Sequence, residues 1–161
     1  VRALDRENGD LHFAAAADGK SYLVGAPNFC FSIAHTDGAV AVAVSPTAVG
    51  VDIERLREAP RGVAERFFTP EEQAYCAGAD DRFFEVWTRR EAQAKRTGTP
   101  LAAAFAASRG GKAADNTETR IFRADDFILA VASDAADAFF LCKTDPDRFL
   151  ADVLKRLAPL A

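Results

Sequence analysis

Between Phe29 and Ile53 the apolar positions come in short runs at strand length, and after Phe68 they shift to helical spacing. Phe29-Cys30-Phe31-Ser32-Ile33-Ala34 reads as a buried strand, His35-Thr36-Asp37-Gly38 as a turn, and Ala39 to Val44 as the antiparallel partner. Ser45-Pro46-Thr47 turns again into a strand at Ala48 to Ile53, so His35 to Glu54 predicts an antiparallel meander. A shorter strand is expected at Leu11-His12-Phe13-Ala14, closed by the turn Asp18-Gly19-Lys20. Helix signals follow. Thr69 suits an N-cap, Pro70 the first helical position and Glu72 the reciprocal capping position. Asp80-Asp81 precedes a second helix, from Arg82 to Arg96, that stops before Gly98 and Pro100. Phe83, Phe84, Trp87, Glu91 and Lys95 recur along it at spacings of three and four and form one stripe. Further strands are expected at Thr119 to Phe122, Phe127 to Ser133 and Ala138 to Lys143, with a mobile loop from Ser108 to Asn116 and a last helix from Asp147 to Leu157. The pattern predicts an α+β protein.

Composition narrows the class of function. At 161 residues the chain has room for one domain or two small lobes sharing a core. A net charge of -4 and dispersed basic residues argue against a nucleic-acid partner. A local basic group, Arg82, Arg89, Arg90, Lys95 and Arg96, would still attract an acidic one. Cys30, Cys76 and Cys142 are far apart and lack metal spacing, which fits reduced thiols in a cytoplasmic protein. No membrane span or signal peptide is evident in the sequence, so no membrane association is expected. The absence of Met, with Val1 first, leaves three origins open: a processed chain, an alternative start or a piece of something longer.

Two segments carry candidate chemistry. In Gly50-Val51-Asp52-Ile53-Glu54, strand alternation puts Asp52 and Glu54 on one face. Paired carboxylates suit a hard cation such as Mg2+, which binds through one or two carboxylates, waters and substrate phosphates. A solvated acidic face on an edge strand explains the same residues. Glu91 and Lys95 make an ordinary helix pair, yet they continue an apolar stripe, where buried charges need partners such as a metal and a diphosphate. His35 reads either as a turn histidine or as a phosphate or ribose contact; Gly19-Lys20 has an equally plain reading as a solvated turn.

In order, Gly19-Lys20-Ser21-Tyr22, Phe31-Ser32-Ile33-Ala34-His35-Thr36, Gly50 to Glu54, Arg66-Phe67-Phe68 and Trp87 to Lys95 resemble the motifs of the 4'-phosphopantetheinyl transferase superfamily, in particular its surfactin-synthetase (Sfp) type. The resemblance covers Leu11 to Ser133. It implies two pseudo-symmetric lobes, 1–54 and 55–161, each a small antiparallel sheet on helices, with the N-terminal lobe shortened and the site between them. It implies Mg2+-dependent transfer of 4'-phosphopantetheine from coenzyme A to a serine of an acyl or peptidyl carrier protein, releasing 3',5'-ADP. Asp52, Glu54 and Glu91 would hold the Mg2+; Glu91 would also be the base and Lys95 would serve the leaving group. Gly19, Lys20, His35, Arg90 and Lys95 would contact coenzyme A. Three positions depart from the family pattern: Ser21 stands for a proline, Ala34 for a serine and Arg90 for a lysine. With the short N-terminal lobe, these fit a domain excised from a larger synthase, and keep open the alternative of a catalytically degenerate domain that binds coenzyme A or a carrier.

Overall fold

A computed structural model of the chain describes residues 10–109 and 118–134, together with the single positions 144, 145 and 147. The expected strand Ala138 to Lys143, the helix Asp147 to Leu157 beyond its first residue, Cys142 and most of the loop Ser108 to Asn116 therefore lie outside the described residues. Among the described residues, three small antiparallel sheets and a group of helices make an α+β fold. The N-terminal pair is β1 (Phe13–Ala15) with β2 (Ser21–Leu23). A hairpin follows, β3 (Cys30–Thr36) with β4 (Ala39–Ser45). The third sheet has the order β5 (Val49–Arg55), β7 (Phe127–Ser133), β6 (Glu118–Ala124). Between β5 and β6 the chain forms α1 (Val63–Phe67), α2 (Pro70–Cys76), α3 (Asp80–Thr97) and α4 (Leu101–Arg109).

The hairpin turn is narrower than its polar run implied. His35 pairs with Val40 inside the ladder, and Asp37-Gly38 alone makes the reversal, with Gly38 at φ 80. The predicted meander is not formed: β5 leaves the hairpin and hydrogen-bonds to β7, Asp52 opposite Ala130. Nor is β3 buried on both sides. Ile33 on β3 and Val40, Val42 and Val44 on β4 share one face that stays largely exposed, while Ala34 and Ala41 face inward.

This inner face of the hairpin covers one side of the β5–β7 sheet. Val51 and Ile53 of β5 pack there on Ala34 and Ala41, with Leu129 and Val131 of β7 beside them. The Ser32 hydroxyl accepts the Val51 N–H at 3.1 Å and pins β3 to β5. Helix α3 covers the opposite side, where Ala92 meets Ala130 and Ala132, all fully buried. Beyond them the helices close a phenylalanine core. Phe68 stacks on Phe83 at 5.1 Å, and Cys76, Phe84, Val86, Phe105 and Ile128 complete the cluster. Each Phe, Val or Ile side chain, fully buried, contributes about 1.5–3 kcal/mol.

Local chemistry places the helix ends. Thr69 Oγ1 accepts the Glu72 N–H at 3.3 Å and Glu72 Oε2 accepts the Thr69 N–H at 2.9 Å, the reciprocal cap expected at α2. Gly98, in the left-handed region at φ 69, ends α3. Among the described residues no helix is long and apolar enough to cross a membrane.

Candidate active site

Alternation along β5 decides what meets α3. Val51 and Ile53 turn toward the hairpin, so Gly50, Asp52 and Glu54 turn toward the helix. The acidic face predicted at Asp52 and Glu54 is thus not a solvated edge: Asp52 is only 5% exposed. Its Oδ1 accepts from Lys95 Nζ at 2.6 Å, and the same ammonium lies 3.6 Å from Glu91 Oε2, one helical turn earlier. Asp52 Oδ2 is buried and has no hydrogen-bond partner among the described residues. Glu54 is half-buried and held by Arg57 at 2.8 Å.

The electrostatics follow from this crowding. Burial, then the Glu91 charge, push the Asp52 carboxyl up from 3.8 to about 7, with Lys95 opposing and Glu54 adding a smaller push. Burial also raises Glu91; Lys95 opposes that and Glu54 reinforces it. Three carboxylates that disfavour one another's charge, one of them with an orphaned buried oxygen, suit a hard divalent cation. The donor set fits Mg2+ in chemistry, although among the described residues no three acidic, histidine or cysteine side chains converge as a ready-made cage. Lys95 and Arg57 instead draw Asp52 and Glu54 to themselves.

An open cleft of about 370 Å3 adjoins the pair Glu91 and Lys95. Its walls are the turn from Asp18 to Ser21, the middle of β3, and the junction of α3 and α4 at Gly98 to Leu101. Of the residues singled out from sequence, Gly19, Lys20, Glu91 and Lys95 line it, and Asp52 sits behind Lys95. Lys20 Nζ donates to the carbonyls of Val49 at 3.0 Å and Arg96 at 2.7 Å, so the solvated-turn reading of this lysine does not hold. His35 is exposed on β3, on the same face as Ile33 but outside the cleft lining. Arg90 is also outside it, paired with Glu72 of α2 at 2.6 Å and lying over the Phe105 ring. Sequence reasoning passed over Ser32 and Thr99, which line the cleft. Ser32 lay inside a quoted motif, and Thr99 stood beside the proline read only as a helix stop.

The profile described as 4'-phosphopantetheinyl transferase superfamily matches residues 48–142, which takes in β5, the helices and the β6–β7 pair. The chain belongs to this superfamily. It is similar to the transferase ffp of Bacillus subtilis, with 32% identity over 97 residues, 57% of this chain and 43% of that protein. It is similar also to psf-1 of Bacillus pumilus, with 34% identity over 91 residues, 53% of this chain and 39% of the other. Sfp of Bacillus subtilis strain 168 is 27% identical over 105 residues, 62% of this chain and 47% of that protein, so the likeness is of the Sfp type. The chain thus spans less than half the length of these transferases. Asp52, Glu54, Glu91 and Lys95 fall within the segment that matches the superfamily, whereas Lys20 and His35 precede it.

Proposed function

We propose that this domain transfers 4'-phosphopantetheine from coenzyme A to a serine hydroxyl of an acyl or peptidyl carrier protein, in a Mg2+-dependent reaction that releases 3',5'-ADP. The observation that supports it most is Asp52: a buried carboxylate with one orphaned oxygen, set beside Glu91 and Lys95 at the edge of a cleft. Lys20, with Gly19 beside it, would offer positive charge to coenzyme A at the cleft's far wall. His35 and Arg90 are not at that wall, and a role for either in holding the cofactor needs the coenzyme to extend beyond it. A reducing cytoplasm suits the free thiols of Cys30 and Cys76.

In the reaction, the serine oxygen bonds to the phosphorus nearer the pantetheine, and that phosphorus loses its bond to the bridging oxygen, which leaves on the adenosine-bearing phosphate. Glu91, raised above the ordinary carboxyl range, is placed to take the serine proton directly or through one water. Lys95, whose ammonium has three donors and holds Asp52 with one, offers its charge to the phosphate that leaves with 3',5'-ADP. Mg2+, held by Asp52, Glu54 and Glu91, would neutralise diphosphate charge and orient its oxygens.

A second reading, a degenerate domain that binds coenzyme A or a carrier without turnover, draws support from the cations already seated on Asp52 and Glu54. Incubation with coenzyme A, Mg2+ and apo carrier tests both. A mass gain on the carrier supports the transferase. Coenzyme A binding by calorimetry without any mass gain moves the assignment to the second reading, and neither result from folded protein overturns both.

A further inference from the structure

We infer that Gly50 is a positioning residue of the carboxylate site, a spacer that lets β5 press on α3, and that Lys20 is the clamp that holds the two together. Gly50 sits in ordinary extended backbone, so a turn conformation is not what calls for glycine here; space is. A Cβ built at this position would lie closer than 3.0 Å to both the Ala92 carbonyl oxygen and the Arg96 nitrogen, which are helix backbone and cannot swing aside. The rest of the contact is made of equally small groups, with Ala132 beside Gly50 across the ladder, Ala130 next along β7, and Ala92 above. All three alanines are fully buried.

Asp52 is the next residue of β5 on this face, ~6.6 Å along the strand. It reaches Lys95 at 2.6 Å only because the strand runs close to the helix. A methyl at position 50 would lift the strand by roughly an ångström, since a close-packed contact has no slack to absorb it. That displacement takes Asp52 out of hydrogen-bond range of Lys95 and away from Glu91.

Lys20 closes the same contact from the side. Its ammonium bridges the carbonyl of Val49, the neighbour of Gly50, and the carbonyl of Arg96, whose nitrogen is the one a Cβ would strike. A cation on the Arg96 carbonyl, in the last helical turn, is favourably placed against the helix dipole. The turn that carries it is seated on α3 as well, because the Asp18 carboxylate fills the space a side chain would need at Gly98. Spacer and clamp therefore act on one short stretch, Val49-Gly50 against Ala92 to Arg96.

The importance of this spacing to phosphopantetheine transfer rests on the function proposed above; the spacing itself does not. The test is a double-mutant cycle in metal-free buffer at about pH 8.5, reading the non-additivity in melting temperature between Asp52→Asn and Lys95→Met. In the native background the two changes are expected to depart from additivity by roughly 3 °C. In the Gly50→Ala background the non-additivity should vanish while the circular dichroism of the folded state persists, an effect that general loosening of the fold would not single out. Undiminished coupling in folded Gly50→Ala overturns the inference. If Gly50→Ala does not fold, Lys20→Met decides: reduced coupling supports the spacer and clamp, and unchanged coupling overturns them. Mn2+ binding by the native protein, followed by electron paramagnetic resonance, is measured separately. Its absence would count against the metal part of the proposed function and leave the cycle intact.

Discussion

Replacing Asp52 with asparagine is expected to stabilise the protein at neutral and alkaline pH. The carboxyl is 5% exposed, has an orphaned oxygen and is pushed from 3.8 to about 7 by burial and by Glu91. A folded-state value above the unfolded one means that the native state binds the proton more tightly. Stability from this group therefore falls as pH rises from about 4 to about 7 and stays flat above. The cost at the plateau is on the order of 4 kcal/mol, a figure that already contains the favourable charge of Lys95. Asparagine has no charge to bury and keeps an oxygen for the lysine. For a domain of this size, 1 kcal/mol corresponds to about 2–4 °C, so the variant should melt at least 5 °C above the native protein near pH 8, and close to it near pH 4. Glu91 contributes a slope of the same sign to both proteins, so the difference between them reports Asp52 together with its coupling to Glu91. Melting followed by circular dichroism from about pH 4 to 8.5 measures this. Added Mg2+ should raise the native melting temperature near pH 8 and leave the asparagine variant unmoved. An asparagine variant that melts below the native protein near pH 8, or at a constant offset across the range, would refute the reasoning.

Two predictions concern the scaffold. Thr69→Ala removes one half of the reciprocal cap of α2 and should cost ~1 kcal/mol, read as a melting temperature lower by a few degrees with Mn2+ binding unchanged. Phe68→Ala empties a position that is 1% exposed, stacked on Phe83 at 5.1 Å and on Phe105 at 6.2 Å. It should cost about 3–5 kcal/mol and shift the urea midpoint accordingly; a loss below ~1 kcal/mol would mean that the aromatic core repacks.

What could be read in the sequence was what is encoded within a few residues. The Thr69-Pro70-Glu72 signal specifies its own hydrogen bonds, and α2 starts where it says. Gly98 ends α3 because the left-handed cap needs no neighbour to define it. A helix start was missed just beyond that cap: α4 begins directly after Pro100, whose carbonyl accepts the N–H groups of Ala103 and Ala104. Pairing over long separations left no local trace. Alternation makes β5 a strand, but nothing in Ala48 to Glu54 says that its partner is β7, some eighty residues on, in place of the adjacent β4. Lys20 is the sharper case: a turn lysine by every local sign, it takes partners 29 and 76 residues away.

The candidate site was half legible for a related reason. A strand with a polar face looks alike whether that face meets water or a helix, and Asp52 and Glu54 fit both until α3 is laid across them. Glu91 and Lys95 supplied the clue, since charges that continue the stripe of Phe83 and Trp87 must follow the apolar face inward. The small residue that permits the approach, Gly50, carries no polarity pattern, and its reason exists only once the backbone of Ala92 and Arg96 is beside it. Burial is what makes Asp52 costly and what leaves its second oxygen without a hydrogen bond among the described residues, so instability and capacity for a cation share one cause. It follows that any change that lets water reach β5, such as release of the Lys20 clamp, should relieve the penalty and weaken the cation site together. A variant in which one moved without the other would separate the stability of this strand from its chemistry.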